Sequence, residues 1–405
     1  ERSKVRLQRL KFVENVEVTK TKVSNSSDLV DITFAIKERK SGEFKVSAGW
    51  SDTDGAIFDI NLQQDNFLGY GKNIGLKASK STVNTSLQFL LTDPYYTFDG
   101  VSRTTSATIS STDVSSTSTA TYLSDTFAAG VMYNMPVSET ATFGIGYDIS
   151  LTDFTTTIGS PIIVTHHIAD HGNTAFGVKV KSSYVTDTRN RTVFAETGVL
   201  TQLNGDIFLS VSGASHMSVT HRTESNKGYV LKTFGFDWPT VFQFKTTVGI
   251  GAGLGSATSL PFYNKYFAGG NGTVRGYKGS SLGPLTYNAG RGPNTCAAKA
   301  IPGKYIKCDA IGGDFTTSAQ FNWVFSPPPF LGEDTRALRT TLFFDIGNVF
   351  EKVNNFDYNE LRASYGIEFN VLTPIGGVSV GLVSAINDQE GDDTQPVIFQ
   401  LGGAF

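Results

Sequence analysis

The sequence predicts an all-β fold: a sixteen-stranded antiparallel transmembrane β-barrel preceded by a fragment of an α+β domain. Three observations lead there. The composition is rich in Gly (42), Phe (30) and Tyr (15) and only 18% charged, a mix that suits pleated sheets and costs helices about 1 kcal/mol per internal Gly. Apolar and polar residues alternate with period two in run after run from Glu43 to the end, as strands with two unlike faces require. The connections are lopsided, short turns on one side and long loops on the other, as in barrels that cross a membrane.

The first 42 residues differ from the rest. The segment 1–10 reads as a helix carrying Val5, Leu7 and Leu10 near one face among Lys and Arg. Two strands follow, near Glu17–Val23 and Asp28–Glu38, the second alternating Val30, Ile32, Phe34 and Ile36 with polar residues. Residues 1–42 are too few for a complete α+β domain and read as the tail of one. No charged, then apolar, leader opens the chain, so a mature or truncated fragment is expected.

Residues 43–405 read as the barrel. Phe44, Val46, Ala48 and Trp50 share one face, and Lys45, Ser47 and Gly49 the other. Leu361, Ala363, Tyr365, Ile367 and Phe369 oppose Arg362, Ser364, Gly366, Glu368 and Asn370. Arg and Glu in mid-strand are costly in a dry core and natural on a watery interior wall. Sixteen strands are expected to begin near residues 43, 55, 71, 84, 101, 121, 139, 175, 190, 206, 240, 313, 338, 361, 376 and 395. An even number of that size closes an antiparallel barrel without a free edge. No apolar run reaches the roughly 18 residues of a membrane helix, a test that barrel strands escape.

The turns Asp52–Gly55 and Thr373–Gly376 are short, whereas 153–174, 256–312 and 326–337 are long. The stretch from Gly255 to Gly312 is too long for a passive connection and is expected to be functional. Within it Cys296 and Cys308, the only cysteines, are separated by eleven residues and read as an intraloop disulfide, which implies an oxidising compartment. His166, His167, Asp170 and His171 crowd another loop; this reads as a polar loop rather than a metal site. Gly249, Gly251, Gly253 and Gly255 recur every second residue, which fits a strand without bulk on one face and not a nucleotide-binding GxGxxG. The Ser/Thr-rich stretch from Ser102 to Ser124 reads equally as a strand pair with a polar loop or as partly disordered. A net charge of −3 argues against nucleic-acid binding, which needs a concentrated basic face.

The long loop also holds the run from Tyr266 to Tyr277, YFAGGNGTVRGY. Its glycines allow close backbone packing, and Arg275 offers five donors to a buried carboxylate. A phosphate cradle lacks the strand-to-helix context it needs, and a flexible loop with a solvated Arg is equally compatible with the residues alone.

The segment from Phe267 to Tyr277 resembles the signature of the BamA family, whose members assemble outer-membrane proteins from a barrel that follows periplasmic POTRA domains. The runs from Gln63 to Gly69 and from Thr92 to Gly100 are similar to the start of the family barrel, and Phe343–Phe350 resembles its thirteenth strand. Residues 1–42 resemble the second half of the last POTRA domain, and the resemblance spans the whole chain. It implies that the loop 256–312 folds from the extracellular side into the lumen, with its motif Val274, Arg275, Gly276 and Tyr277 held by acids on the wall. Asp345 occupies one acidic position. The other falls at Asn322, which departs from the pattern and leaves Arg275 with one carboxylate.

The resemblance further implies a seam between the first strand (Phe44, Val46) and the last (Phe399, Leu401, Gly402, Phe405), with Gly402 letting the last strand bend inward. The implied function is that of the central subunit of an outer-membrane β-barrel assembly machine. Its implied partners are unfolded outer-membrane clients, periplasmic lipoproteins and the lipid bilayer, with no cofactor, no metal and no enzymatic step. The implied location is the bacterial outer membrane, with the N-terminal part in the periplasm. The nearest alternative is a two-partner secretion transporter of the same superfamily. A diffusion porin would lack the motif, and an outer-membrane hydrolase would need a Ser–His or Asp–His constellation, whereas the five His cluster in one loop or stand singly at His216 and His221.

Overall fold

The computed structural model describes residues 4, 7, 12–23, 29–51, 54–114, 122–157, 160–233, 236–286, 309–325, 338–373, 376–389 and 392–403. Strands β1 (Val13–Lys22) and β2 (Val30–Glu38) form an antiparallel hairpin. Phe12, Val13 and Val16 bury against one another with Leu7 alongside. The first strand begins four residues before the expected Glu17, because Val13 and Val16 carry its apolar face. Lys4 and Leu7 are helical; the other residues of the expected 1–10 helix lie outside the described residues.

The remaining long strands close into one barrel. They are β3 (Gly42–Ser51), β4 (Gly55–Gln64), β5 (Asn73–Lys80), β6 (Asn84–Asp93), β7 (Ser102–Asp113), β8 (Leu123–Pro136), β9 (Ala141–Thr155) and β10 (Thr174–Asp187). Then come β11 (Thr197–Ser212), β12 (His216–Thr233) and β13 (Phe236–Gly253). After a long insertion follow β16 (Phe315–Phe325), β17 (Leu338–Phe350), β18 (Arg362–Thr373), β19 (Gly376–Ala385) and β20 (Val397–Gly403), and β20 returns to β3. The insertion carries a minimal pair of its own, β14 (Leu285–Thr286) with β15 (Asp309–Ala310). Sixteen strands therefore line the wall, each antiparallel to its neighbours in the ring.

Alternation explains the two faces. On β4, Phe58, Ile60 and Leu62 point outward and are exposed, while Asp59, Asn61 and Gln63 point inward. The outer surface is consequently apolar over most of its circumference, and the interior carries Ser, Thr, amides and charges.

The expected strand starts near 190 and 206 are displaced to Thr197 and His216. Residues 188–196 form a turn held by its own polar groups: Asn190 Oδ1 accepts from the amides of Glu196 (3.0 Å) and Thr197 (3.3 Å), and Arg189 pairs with Asp187. Gly205–Asp206 looks like a turn in sequence but lies in mid-strand, with Asp206 opposite Lys181 on the inner face. The region expected to be a polar loop around His166 contains an apolar helix, α1 (Ile162–His171), whose Val164 packs with Phe154, Ala175 and Phe262. Of the Ser/Thr-rich stretch, Ser102–Asp113 is a strand paired with β8, and 115–121 lie outside the described residues.

Candidate functional site

The insertion between β13 and β16 turns back into the barrel and packs on its inner wall. Its route depends on the glycine row of β13. A Cβ on Gly249 would sit 2.7 Å from the Tyr266 ring, and one on Gly251 only 2.3 Å from Leu260. Bare backbone there is what lets the insertion lie flat against the strand. The base of the insertion is tied down by Asp314. Its Oδ1 accepts from Ser259 Oγ (3.0 Å), the Leu260 amide (3.1 Å) and Lys265 Nζ (3.1 Å). Deeper in, Ala268, Val274, Tyr277 and Leu282 bury with Val349 of β17.

At the centre stands Arg275, presented by a turn closed on itself. The Gly270 amide donates to Tyr277 O (2.9 Å), and the Gly269 amide to Thr273 Oγ1 (2.8 Å). Gly269, Gly270 and Gly276 all have positive φ. Any side chain on Gly276 would also meet Val383 at 2.6 Å. The guanidinium donates through Nε to Asp345 Oδ2 (2.7 Å), through Nη2 to Asp345 Oδ1 (2.7 Å) and Asn322 Oδ1 (2.6 Å), and through Nη1 to Glu368 Oε2 (2.7 Å). Its own backbone amide donates to Asp345 as well (3.0 Å). One face of the group lies 3.6 Å from the centre of the Phe343 ring, and Phe343 has room because Gly366 opposite has no side chain.

Arg275 thus has two carboxylates, which corrects the expectation of one. Asn322 of β16 accepts as an amide, and the second acid comes from β18 as Glu368. The alternation had already put Glu368 inward; what sequence could not show is that β18 lies close enough for a six-bond reach. Asp345 is fully buried and Arg275 nearly so. Charges this deep are tolerated only because the fork geometry matches both acceptors, and their main effect is to fix position.

The second element is the junction of β20 with β3. Among the described residues, two pairs are in register there, Gln400 opposite Ser51 and Leu401 opposite Trp50, whereas β12 and β13 pair from His216–Gly253 through to Thr233–Phe236. Gly402, at φ +76, falls where the β19–β20 register slips between Gly377 and Val378. A Cβ on Gly402 would lie 2.9 Å from Ala48 O, and one on Gly49 2.6 Å from Leu401 O. Outside, the Trp50 and Phe399 rings stand 5.5 Å apart. Phe44 and Val46 point outward and are exposed. Phe405, Cys296 and Cys308 lie outside the described residues.

A third cluster surrounds α1. His167 meets Phe262 edge-on at 5.2 Å and stands 4.8 Å from His171. Burial, reinforced by the neighbouring His171, pushes the His167 imidazole down to about 4, so it is neutral at pH 7. Among the described residues, no group of three or more His, Cys, Asp or Glu is arranged to hold a metal.

A closed barrel with an interior insertion locked by an arginine defines a class. Residues 66–405 match the Omp85 superfamily domain, and the chain belongs to that superfamily. Within it, the chain is 28% identical, over its whole length, to the outer membrane protein assembly factor BamA of Neisseria meningitidis, of which it covers 52%. A BamA of Buchnera aphidicola is 25% identical over 23% of the chain and 15% of that relative. The chain thus spans about half, or less, of the length of these relatives. Among solved structures, BamA from Haemophilus ducreyi lacking POTRA domains 1–3 superposes with a TM-score of 0.83 at 25% identity, covering 100% of this chain and 77% of the other. CdiB from Acinetobacter baumannii shares the fold, with a TM-score of 0.57 at 11% identity over 97% of this chain and 66% of the other.

Proposed function

We propose that this chain is the barrel of an outer-membrane assembly factor that inserts and folds other outer-membrane β-barrel proteins. The observation that carries the reading is the pairing of two unlike features: an interior insertion locked by Arg275, and a β3–β20 junction with almost no ladder. Contiguous outward Phe, Leu, Ile and Tyr residues support a lipid-facing wall, since a soluble protein does not expose so large an apolar surface. The β1–β2 hairpin is then the end of a POTRA domain in the periplasm, where lipoprotein partners and unfolded clients would arrive.

A seam held by few backbone hydrogen bonds, each worth about 0.5–1.5 kcal/mol net, opens at modest cost. A client strand can then add to the free edge of β3 by backbone pairing, which tolerates many client sequences. No cofactor or covalent intermediate enters this reading. The test is a disulfide across the seam, Trp50→Cys with Leu401→Cys, in a strain depleted of its own copy. Many unrelated outer-membrane barrels should fail to assemble together, and reductant should restore them. Normal assembly by the locked protein would sink the reading. The alternative, a two-partner secretion transporter, predicts instead the loss of one secreted substrate and a steady ion conductance in planar bilayers.

A further inference from the structure

The turn 188–196 does more than reverse the chain between β10 and β11. The up-and-down order of the ring puts it at the end of the barrel where β3 begins, opposite the end from which the insertion enters. There it is folded inward. Gly198, at φ +99, has no room for a Cβ, which would stand 2.3 Å from Thr188 O, so the two limbs of the turn close tightly. Phe194 has φ +50, a backbone conformation that side chains other than glycine rarely adopt. Arg191 holds it there: Nε donates to Phe194 O (2.8 Å), and Nη2 pairs with Glu196. Strain of this kind persists only where the surroundings enforce it. Its result is that Phe194 reaches a distant part of the wall. The ring centre lies 5.2 Å from the guanidinium carbon of Arg339 on β17, although β12, β13 and β16 separate β11 from β17 in the ring. Ala195 beside it is buried.

A row of polar side chains joins the turn to the insertion. Arg189 Nη1 donates to Glu224 Oε1 (3.4 Å), Asn226 Nδ2 donates to the same oxygen (2.9 Å), and Gln243 Nε2 donates to Asn226 Oδ1 (2.9 Å). Asn322 Nδ2 then donates to Gln243 Oε1 (3.0 Å), and Asn322 Oδ1 accepts from Arg275 (2.6 Å). A cavity of about 150 Å³ lies between, lined by Phe194 and Ala195 of the turn, Asn271 and Arg275 of the insertion, and Lys245 and Ser379 of the wall.

We propose that the turn 188–196 is a second closure of the lumen, a floor in series with the insertion that blocks ions and small solutes from the β1–β2 side. Barrels of about sixteen strands leave an aqueous channel unless something fills it, and this ring has sixteen. The insertion fills it from one end. The turn, docked through Phe194 on Arg339 and through Arg189 on Glu224, fills it from the other, so displacement of either alone leaves the barrier intact. Phe194 and Arg339 are the residues on which the floor rests, and nothing in the sequence around either one links them. The inference requires only the membrane-spanning barrel proposed above and not its handling of clients, so it stands or falls apart from the seam-locking test.

The test measures ion conductance of the full-length chain in planar bilayers. Arg275→Ala frees the insertion and Phe194→Ala frees the turn. Each alone should conduct little more than the unaltered protein, whereas the pair should conduct at least about tenfold more, as an unobstructed lumen of this size would. In the Arg275→Ala background, Arg339→Ala should open the same channel, and Arg339→Lys, which keeps a cation over the ring, should not. A second readout needs no change to the insertion. Ser379 is 3% exposed, and in a chain carrying Cys296→Ser and Cys308→Ser, the variant Ser379→Cys should be shielded from a membrane-impermeant thiol reagent supplied on the β1–β2 side of reconstituted vesicles. Adding Phe194→Ala should make it react about fivefold faster, the rise in open population expected when one cation–π contact is lost. Heat-modifiable gel migration confirms that each variant is a folded barrel. Full conductance from Arg275→Ala alone, or unchanged Ser379→Cys labelling in Phe194→Ala, would overturn the floor.

Discussion

The wall made by β3 to β6 and the wall made by β11 to β13 are built from the same alternating pattern but to different heights. Strand β5 has 8 residues and β3 has 10, whereas β12 and β13 have 18 each. At about 3.3 Å per residue that is about 26 Å along β5 against about 59 Å along β12, before any tilt. The tall wall carries the glycine row and, with β16 to β18, receives the insertion. The short wall ends at the seam and leaves much of its first strand exposed on both faces. The apolar band of barrels that cross a membrane is about 25 Å tall; β12 exceeds that height even when tilted, whereas β5 barely reaches it untilted. The difference teaches that rigidity and weakness are segregated: packing, ion pairs and long ladders collect on one side, and the thinly held edge lies on the other.

The strongest way to break this contrast is to release the insertion. Arg275→Ala leaves Asp345 and Glu368 both buried without their partner, and losses of this kind cost about 3–5 kcal/mol. The insertion should become sensitive to protease, and the tall wall should lose its advantage in thermal unfolding. Asp345→Ala should do nearly the same, and the double variant no worse than Arg275→Ala alone. Additive defects would show that the two side chains act separately.

A smaller effect is expected from filling the glycine row. Gly251→Leu would force a side chain into Leu260, and overpacking of this sort costs about 1–3 kcal/mol. Ile250→Leu, one residue away and pointing outward, should leave the melting temperature nearly unchanged. Equal shifts for the two would mean that the insertion does not rest on this strand.

Native-state hydrogen exchange measures the contrast directly. Amides of β3 should exchange at least about tenfold faster than those of β12, because local opening is cheapest where ladders are short and cover is thin. Uniform protection around the ring would contradict the segregation.

The smallest expected effect is on pH. His167 binds its proton in the unfolded chain near pH 6.5 but not until about pH 4 in the fold. Between those values the unfolded state holds more protons, so packing of α1 on Phe262 and Tyr263 weakens as pH falls from about 6.5 toward 4. Protease cleavage after α1 should accelerate over that window, with no comparable change between pH 7 and 8. His167→Phe, which keeps the edge-on ring without a titrating nitrogen, should flatten the profile.

Much of this molecule was legible in its residues. Period-two alternation gave the ring of strands, because a wall with one apolar and one polar face imposes that pattern on every strand whatever lies next to it. It also put Glu368 on the polar face of its strand, and the Gly-rich motif marked Arg275 as a residue held close to backbone. The displaced starts of β11 and β12 arose where local polar groups organise a turn, or where Gly205–Asp206 imitates one within a strand. Tertiary structure alone decided which inward residues meet. Glu368 supplies Arg275 with its second carboxylate, Gly366 clears space for Phe343, and Asn271 reaches Gln400 across 129 residues of chain. Alternation fixes the face of each side chain, but only the register and curvature of the closed ring fix its distance to a loop entering from above.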